Sequence, residues 1–175
     1  MTSISLVDLS YHPYLDDTGS VTDAFSGKVG VYAIFDQTQM LQYISYSRNV
    51  SFSLKQHLVR QPGKCYWFKV QTIDRPSRTL LEEIRAAWIA ENGETPPGNA
   101  EEEESWSQAI DVKAQMTAAE QAAYEASDDL ERVKVLKKIA RRVEEDVLAL
   151  LAARGVKMPI RFDPKAKEEG LLLLK

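Results

Sequence analysis

Between Arg48 and Lys69 the chain carries five basic residues, Arg48, Lys55, Arg60, Lys64 and Lys69, together with His57 and no acid. Phe52, Tyr66, Trp67 and Phe68 are interleaved with them. A cationic stretch studded with rings can track a phosphate backbone while bases stack on the aromatic faces. The plain alternative is a solvated helix face beside an aromatic core strand. Tyr32 and Tyr43 precede the stretch, and a base at His57 would point from its helix towards them. His57 shares its spacing with Leu54 and Leu58, so a half-buried helix position suits it equally. Cys65, the single cysteine, has no CxxC partner. It reads as a quiet buried thiol, excludes an internal disulfide framework, and fits a reducing compartment.

The elements that must position these groups are legible as periodicities. Val29, Val31, Ala33 and Phe35 alternate with Gly30, Tyr32 and Ile34, as on the two faces of a strand. The polar turn 36–39 and a second strand over 41–45 complete a hairpin. Asn49 can cap a helix with Val50, Leu54 and Leu58 on one face, ended by residues 61–64. Residues 66–73 are aromatic and β-branched, a third strand. Pro76 and Ser77 open a helix with Leu80, Leu81, Ile84, Ala87 and Trp88 inward, stopped at Asn92 and Gly93. A rigid loop over 95–99 and the acidic run Glu101 to Glu104, a solvated linker, follow. Thr117 and Glu120 fit a capping box.

A long helix starts at Asp128 or Asp129 and runs to Gly155. Val133, Leu136, Ala140, Val143, Val147 and Leu150 form its stripe, and Lys134, Lys137, Lys138, Arg141 and Arg142 its basic face. Val156, Met158, Ile160 and Phe162 alternate like an edge strand. The expected class is α/β (α+β): a small three-stranded antiparallel sheet flanked by helices. Residues 1–27 are an irregular lead-in, 28–110 the sheet domain, and 111–175 a helical extension with a short terminal strand-like segment.

The 175 residues are 44% apolar and 27% charged, which excludes a disordered or fibrous chain. The net charge of -4 divides into about -1 over residues 1–99, -8 over 100–129 and +5 over 130–175. A mild acidic total therefore does not argue against nucleic acid, because the negative charge lies outside the basic stretch. No run of about 18 apolar residues and no basic-then-apolar leader occurs, so the expectation is a cytoplasmic protein without a membrane partner.

Gly30-Val-Tyr32, Tyr43-Ile-Ser45, Ser47, Asn49, the helix that follows and the loop Pro96-Pro-Gly-Asn99 together resemble the GIY-YIG endonuclease superfamily. Gly30 to Asp36, Ser47 to Val50, Cys65, Trp88-Ile89 and Pro96 to Asn99 more closely resemble the GIY-YIG-like N-terminal domain of plastid monothiol glutaredoxins. The resemblance covers roughly residues 25–110 and suggests a cyanobacterial or plastid-type lineage.

It implies that Tyr32 takes a proton from water, that a helix arginine holds phosphate, and that a glutamate holds one Mg²⁺ or similar ion. Ser53 stands where that arginine would fall, Arg85 where the glutamate would, and Ser45 where the second triplet ends in glycine. Glu82, one turn earlier, or Glu83 would be a displaced ligand. Two functions follow. One is a binding or regulatory module with a degenerate nuclease site around Tyr32, Tyr43, Arg48 and His57, its partner a protein or a nucleic acid and no cofactor needed. The other is an active divalent-metal endonuclease with Tyr32 as general base. Arg48, Lys55, Arg60, Lys64, Lys69 and Asn99 would contact nucleic acid in either.

Overall fold

A computed structural model describes residues 3–175; Met1 and Thr2, part of the expected lead-in, lie outside the described residues. The chain divides into two compact units, the first running up to Ser107 and including Gly155–Met158, the second made of Gln108–Arg154 and Pro159–Lys175. Among the described residues no helix is long and apolar enough to cross a membrane.

The first unit is built on an antiparallel sheet of β1 (His12–Pro13), β2 (Val29–Phe35), β3 (Leu41–Ser47) and β4 (Trp67–Ile73), in the order β1-β4-β2-β3. It has four strands where three were expected. The additional one, β1, belongs to the segment read as an irregular lead-in. Its two residues are too few to show a period, and it is specified by pairing His12 with Phe68 and Pro13 with Trp67. β2 is central and buried on both faces, which its double set of side chains anticipates. Gly30 has no room for a side chain, because a Cβ there would lie 2.7 Å from the Gln71 carbonyl on β4.

Helix α1 (Val50–Arg60) starts where the Asn49 side chain accepts the Phe52 N–H, and α2 (Arg78–Asn92) where Ser77 accepts the Leu80 N–H. Each covers one face of the sheet. Val31, Ala33 and Phe35 of β2 pack with Ile44, Ile73 and the α2 residues Leu81, Ile84 and Trp88 in one apolar cluster. Ala87, expected inward, is exposed because it falls beyond the edge of that stripe. The N-terminal segment closes this face. Trp88 Nε1 donates to the Ile4 carbonyl at 2.9 Å, and the Glu91 carboxylate accepts the N–H groups of Leu6 and Val7.

After α2, a 3₁₀ turn Pro97–Asn99 and the short helix α3 (Glu103–Ser107) pack on the same unit. The acidic run is thus not a linker. Glu102 pairs with Lys64, and Trp106 is fully buried.

In the second unit β5 (Ile110–Asp111) pairs with β6 (Leu171–Leu172), and α4 (Ala118–Glu125), α5 (Asp129–Arg154) and α6 (Pro164–Glu168) complete it. Thr117 and Glu120 form the capping box expected of them. Leu136, Ile139, Ala140, Val143, Val147 and Leu151 make the buried stripe of α5, while Val133 and Leu150 are exposed. The segment 156–162 forms no strand beyond a single Phe162–Leu174 bridge. Its start returns to the first unit, where the Lys157 N–H donates to the Gly19 carbonyl at 2.8 Å.

Candidate functional site

Strand alternation places Tyr32 of β2 and Tyr43 and Ser45 of β3 on the sheet face that α1 covers, with Tyr32 directly opposite Ser45. His57, on the third turn of α1, meets them there. Tyr32 Oη lies 2.7 Å from His57 Nε2, and His57 Nδ1 lies 3.0 Å from the Trp106 carbonyl. A carbonyl can only accept, so Nδ1 carries the imidazole proton and donates it, while Nε2 accepts from the Tyr32 hydroxyl. Arg60 donates to the same Trp106 oxygen at 3.0 Å. Ser53 donates to Ser47 at 2.6 Å, and the Ser45 and Ser53 hydroxyls both act to lower the Tyr32 pKa against the effect of burial. Serine hydroxyls at positions 53 and 45 thus stand where the family resemblance leads one to expect a guanidinium and a bare backbone.

Trp106 roofs the cluster. Its ring stacks on Tyr43 with centroids 5.1 Å apart and planes at 18°, and Tyr43 meets the His57 ring edge-on at 5.0 Å. The turn that delivers it is anchored by Asn99, which accepts the Ile44 N–H at 2.8 Å and donates to the Ile44 carbonyl at 2.7 Å. Gly98 is required at that crossing, since a Cβ would lie 2.6 Å from the Gln42 carbonyl and 2.8 Å from the Tyr43 ring. One group is left over: the Trp106 indole N–H is buried and has no acceptor. Such an orphan costs about 1–3 kcal/mol.

Burial sets the protonation of this cluster. Tyr32 is 2% exposed. Its hydroxyl pKa is raised far above the ordinary phenol value, by desolvation first and by Tyr43 second. The same desolvation, aided by the Arg60 charge, pushes His57 down to about 3. Phenol and imidazole are both held neutral at physiological pH. Tyr43 is likewise raised by burial.

The remaining candidates are dispersed. Glu82 accepts the Tyr46 hydroxyl at 2.6 Å and an Arg85 N–H at 2.8 Å, and the Tyr46 hydrogen bond first, then Arg85, holds its carboxyl below the usual range. Tyr46 packs on the apolar cluster under α2, so the sheet lies between Glu82 and Tyr32. Glu83 is exposed on α2. Among the described residues no group of three or more His, Cys, Asp or Glu side chains is placed to hold a metal. The side chains present do not fit a divalent-metal centre beside Tyr32.

The basic stretch does not act as one patch. Lys69 is buried on the α2 face of the sheet, its ammonium 2.9 Å from the Leu6 carbonyl and 4.2 Å over the Tyr11 ring. Lys55 pairs with Asp23 at 3.2 Å, Lys64 pairs with Glu102, and Arg60 is held by Trp106. Asn99 spends its amide on β3. Arg48 is exposed and flanks, with Arg78, a shallow groove of about 450 Å³ over Tyr46 and Leu81. Cys65 is buried. A tryptophan of this kind is expected in core packing, and Trp106 is indeed buried; that it lies over the tyrosines does not follow from its place after the glutamates, and the glycine and asparagine of the 95–99 loop are the sequence signal for it.

Fold and site together define a small mixed α/β protein with a neutral tyrosine–histidine cluster sealed under a tryptophan. No family model matches the chain. Over 81 residues it is 35% identical to the bifunctional monothiol glutaredoxin-S16, chloroplastic, of Arabidopsis thaliana. That match takes in 44% of this chain and 28% of the relative's length, so the chain corresponds to well under half of that protein.

Proposed function

We propose that the first unit is a GIY-YIG-like module whose nuclease site has become a binding and regulatory surface. The observation that carries this reading is the Tyr32–His57–Trp106 chain of contacts. A general base must exchange protons with water, and this phenol is sealed and neutral, with no metal-holding group of side chains among the described residues. The likeness to part of a bifunctional plastid protein supports the module reading. Three of the five bases are spent on Asp23, Glu102 and the Trp106 carbonyl and a fourth is buried. That favours a protein partner over a nucleic acid.

Incubation of plasmid DNA and RNA with the full chain and Mg²⁺ or Mn²⁺ tests it. The expected result is no cleavage above that of Tyr32→Phe. A second reading, the metal-dependent endonuclease with Tyr32 as base, is favoured by one feature, the 2.7 Å contact that gives the phenol a base. Cleavage that Tyr32→Phe abolishes, and that a Glu82→Ala, Glu83→Ala double variant also abolishes, would establish that reading and sink the first.

A further inference from the structure

We propose that residues 102–106 are an internal ligand, and that the surface they occupy takes an acidic peptide carrying an aromatic residue four positions after a glutamate. This deepens the binding reading above and rests on it. The side-chain hydrogen bonds and the ion pair that hold the segment come from the end of α1 and the turn after it, and the ring contact from β3, in the manner of a surface reading a linear peptide. The Lys64 ammonium takes the Glu102 carboxylate. Gln61 Nε2 donates to the Ser105 hydroxyl at 2.8 Å. His57 Nδ1–H and the Arg60 guanidinium converge on one main-chain oxygen, that of Trp106, each at 3.0 Å. Two donors on a single carbonyl recognise backbone, whatever side chain follows. The ring itself is read by the face of Tyr43.

The seat suits an aromatic ring without a polar hydrogen better than it suits this indole. The indole N–H is buried there with no acceptor. A phenylalanine would keep the stacking and bring no orphaned donor. The tether gives the internal segment a high effective concentration, so the closed form dominates until a partner of better fit competes.

The test uses the full chain and a fluorescent peptide with the sequence of residues 100–108, read by anisotropy. Two variants weaken the internal segment: Trp106→Ala, which empties the seat, and Glu102→Lys, which breaks a partly exposed ion pair and keeps the Trp106 side chain, so that the fold is retained while the segment is displaced more readily. Both are expected to bind the peptide about tenfold or more tightly than the parent chain. Adding Arg60→Ala is expected to remove that gain, and a peptide with the Trp106→Phe change is expected to bind more tightly than the original. The proposal is overturned if the opened variants keep their circular dichroism and bind the peptide no better than the parent. It is equally overturned if a single-stranded oligonucleotide binds them and the peptide does not. Absence of peptide binding without cleavage defeats this inference alone, whereas metal-dependent cleavage defeats the binding reading beneath it.

Discussion

The two faces of the central sheet share apolar burial, but only one of them also carries a connected chain of buried polar groups running from strand to helix to loop. Under α2 lies an apolar cluster of Val31, Ala33, Phe35, Ile44, Leu81, Ile84 and Trp88, whose stabilisation scales with area removed from water. Under α1 and the 97–107 turn, beside the buried apolar side chains of Ile34, Leu54, Leu58 and Phe68, lie hydroxyls, an imidazole and a guanidinium, joined in a chain from Tyr32 to His57 to Trp106. An apolar face tolerates change in proportion to volume lost. A buried polar chain does not, because deleting one member leaves the next without a partner. On the second face the polar chain therefore adds definition of geometry to the apolar burial around it, and that is the face a binding role would use.

The largest effect that tests this contrast is on the apolar side. Trp88→Ala should cost about 3–5 kcal/mol in urea unfolding, through a cavity and the lost bond to Ile4. A loss comparable to that of a surface substitution would break the comparison. Tyr32→Phe should cost less, about 1–3 kcal/mol, because it removes one hydroxyl and orphans His57 Nε2 with little change of volume. A neutral result would mean that the polar chain is not satisfied in the folded state.

The third test is pH. An unfolded histidine titrates near 6.5, whereas folded His57 refuses the proton down to about 3. Between these values the unfolded chain binds more protons, so the His57 contribution is complete above pH 6.5 and declines as pH falls. The slope is about 1.4 kcal/mol per pH unit. Asp16, Asp36, Glu82, Glu91 and Glu120, all lowered, add loss of the same sign at more acid pH. The His57 share is therefore read between pH 6.5 and 5, where His57→Gln should flatten the thermal-melt profile. The smallest effect belongs to Glu82→Gln. Its contacts to Tyr46 and Arg85 are partly exposed, and a change of at most about 1 kcal/mol is expected.

Much of the framework was readable from residue pattern. Three strands and the two sheet-covering helices follow from alternation and three-to-four spacing, and the caps at Asn49, Ser77 and Thr117 from residue type. Tyr32, Tyr43 and His57 were placed near one another correctly, because hairpin and helix periods determine which side chains share a face. Lys69 differs from its expected place in a nucleic-acid-contacting patch. Within β4 it looks like a surface cation, and it becomes buried because the Leu6 carbonyl and Tyr11 ring arrive from more than fifty residues away. β1 escaped notice for the same reason, being a strand only by virtue of β4.

What the sequence determined by itself was the set of local elements and the chemical repertoire of one sheet face, since both depend on neighbours within a few positions. What tertiary structure decided was the state of that repertoire. Tyr32 and His57 are neutral and four of the five bases are taken up, because the 97–107 turn and the N-terminal segment close over the two faces, while Glu82 is on the far side of the sheet because α2 packs there. Desolvation depends on what covers a group, and the covering segments are distant in sequence from the groups they cover.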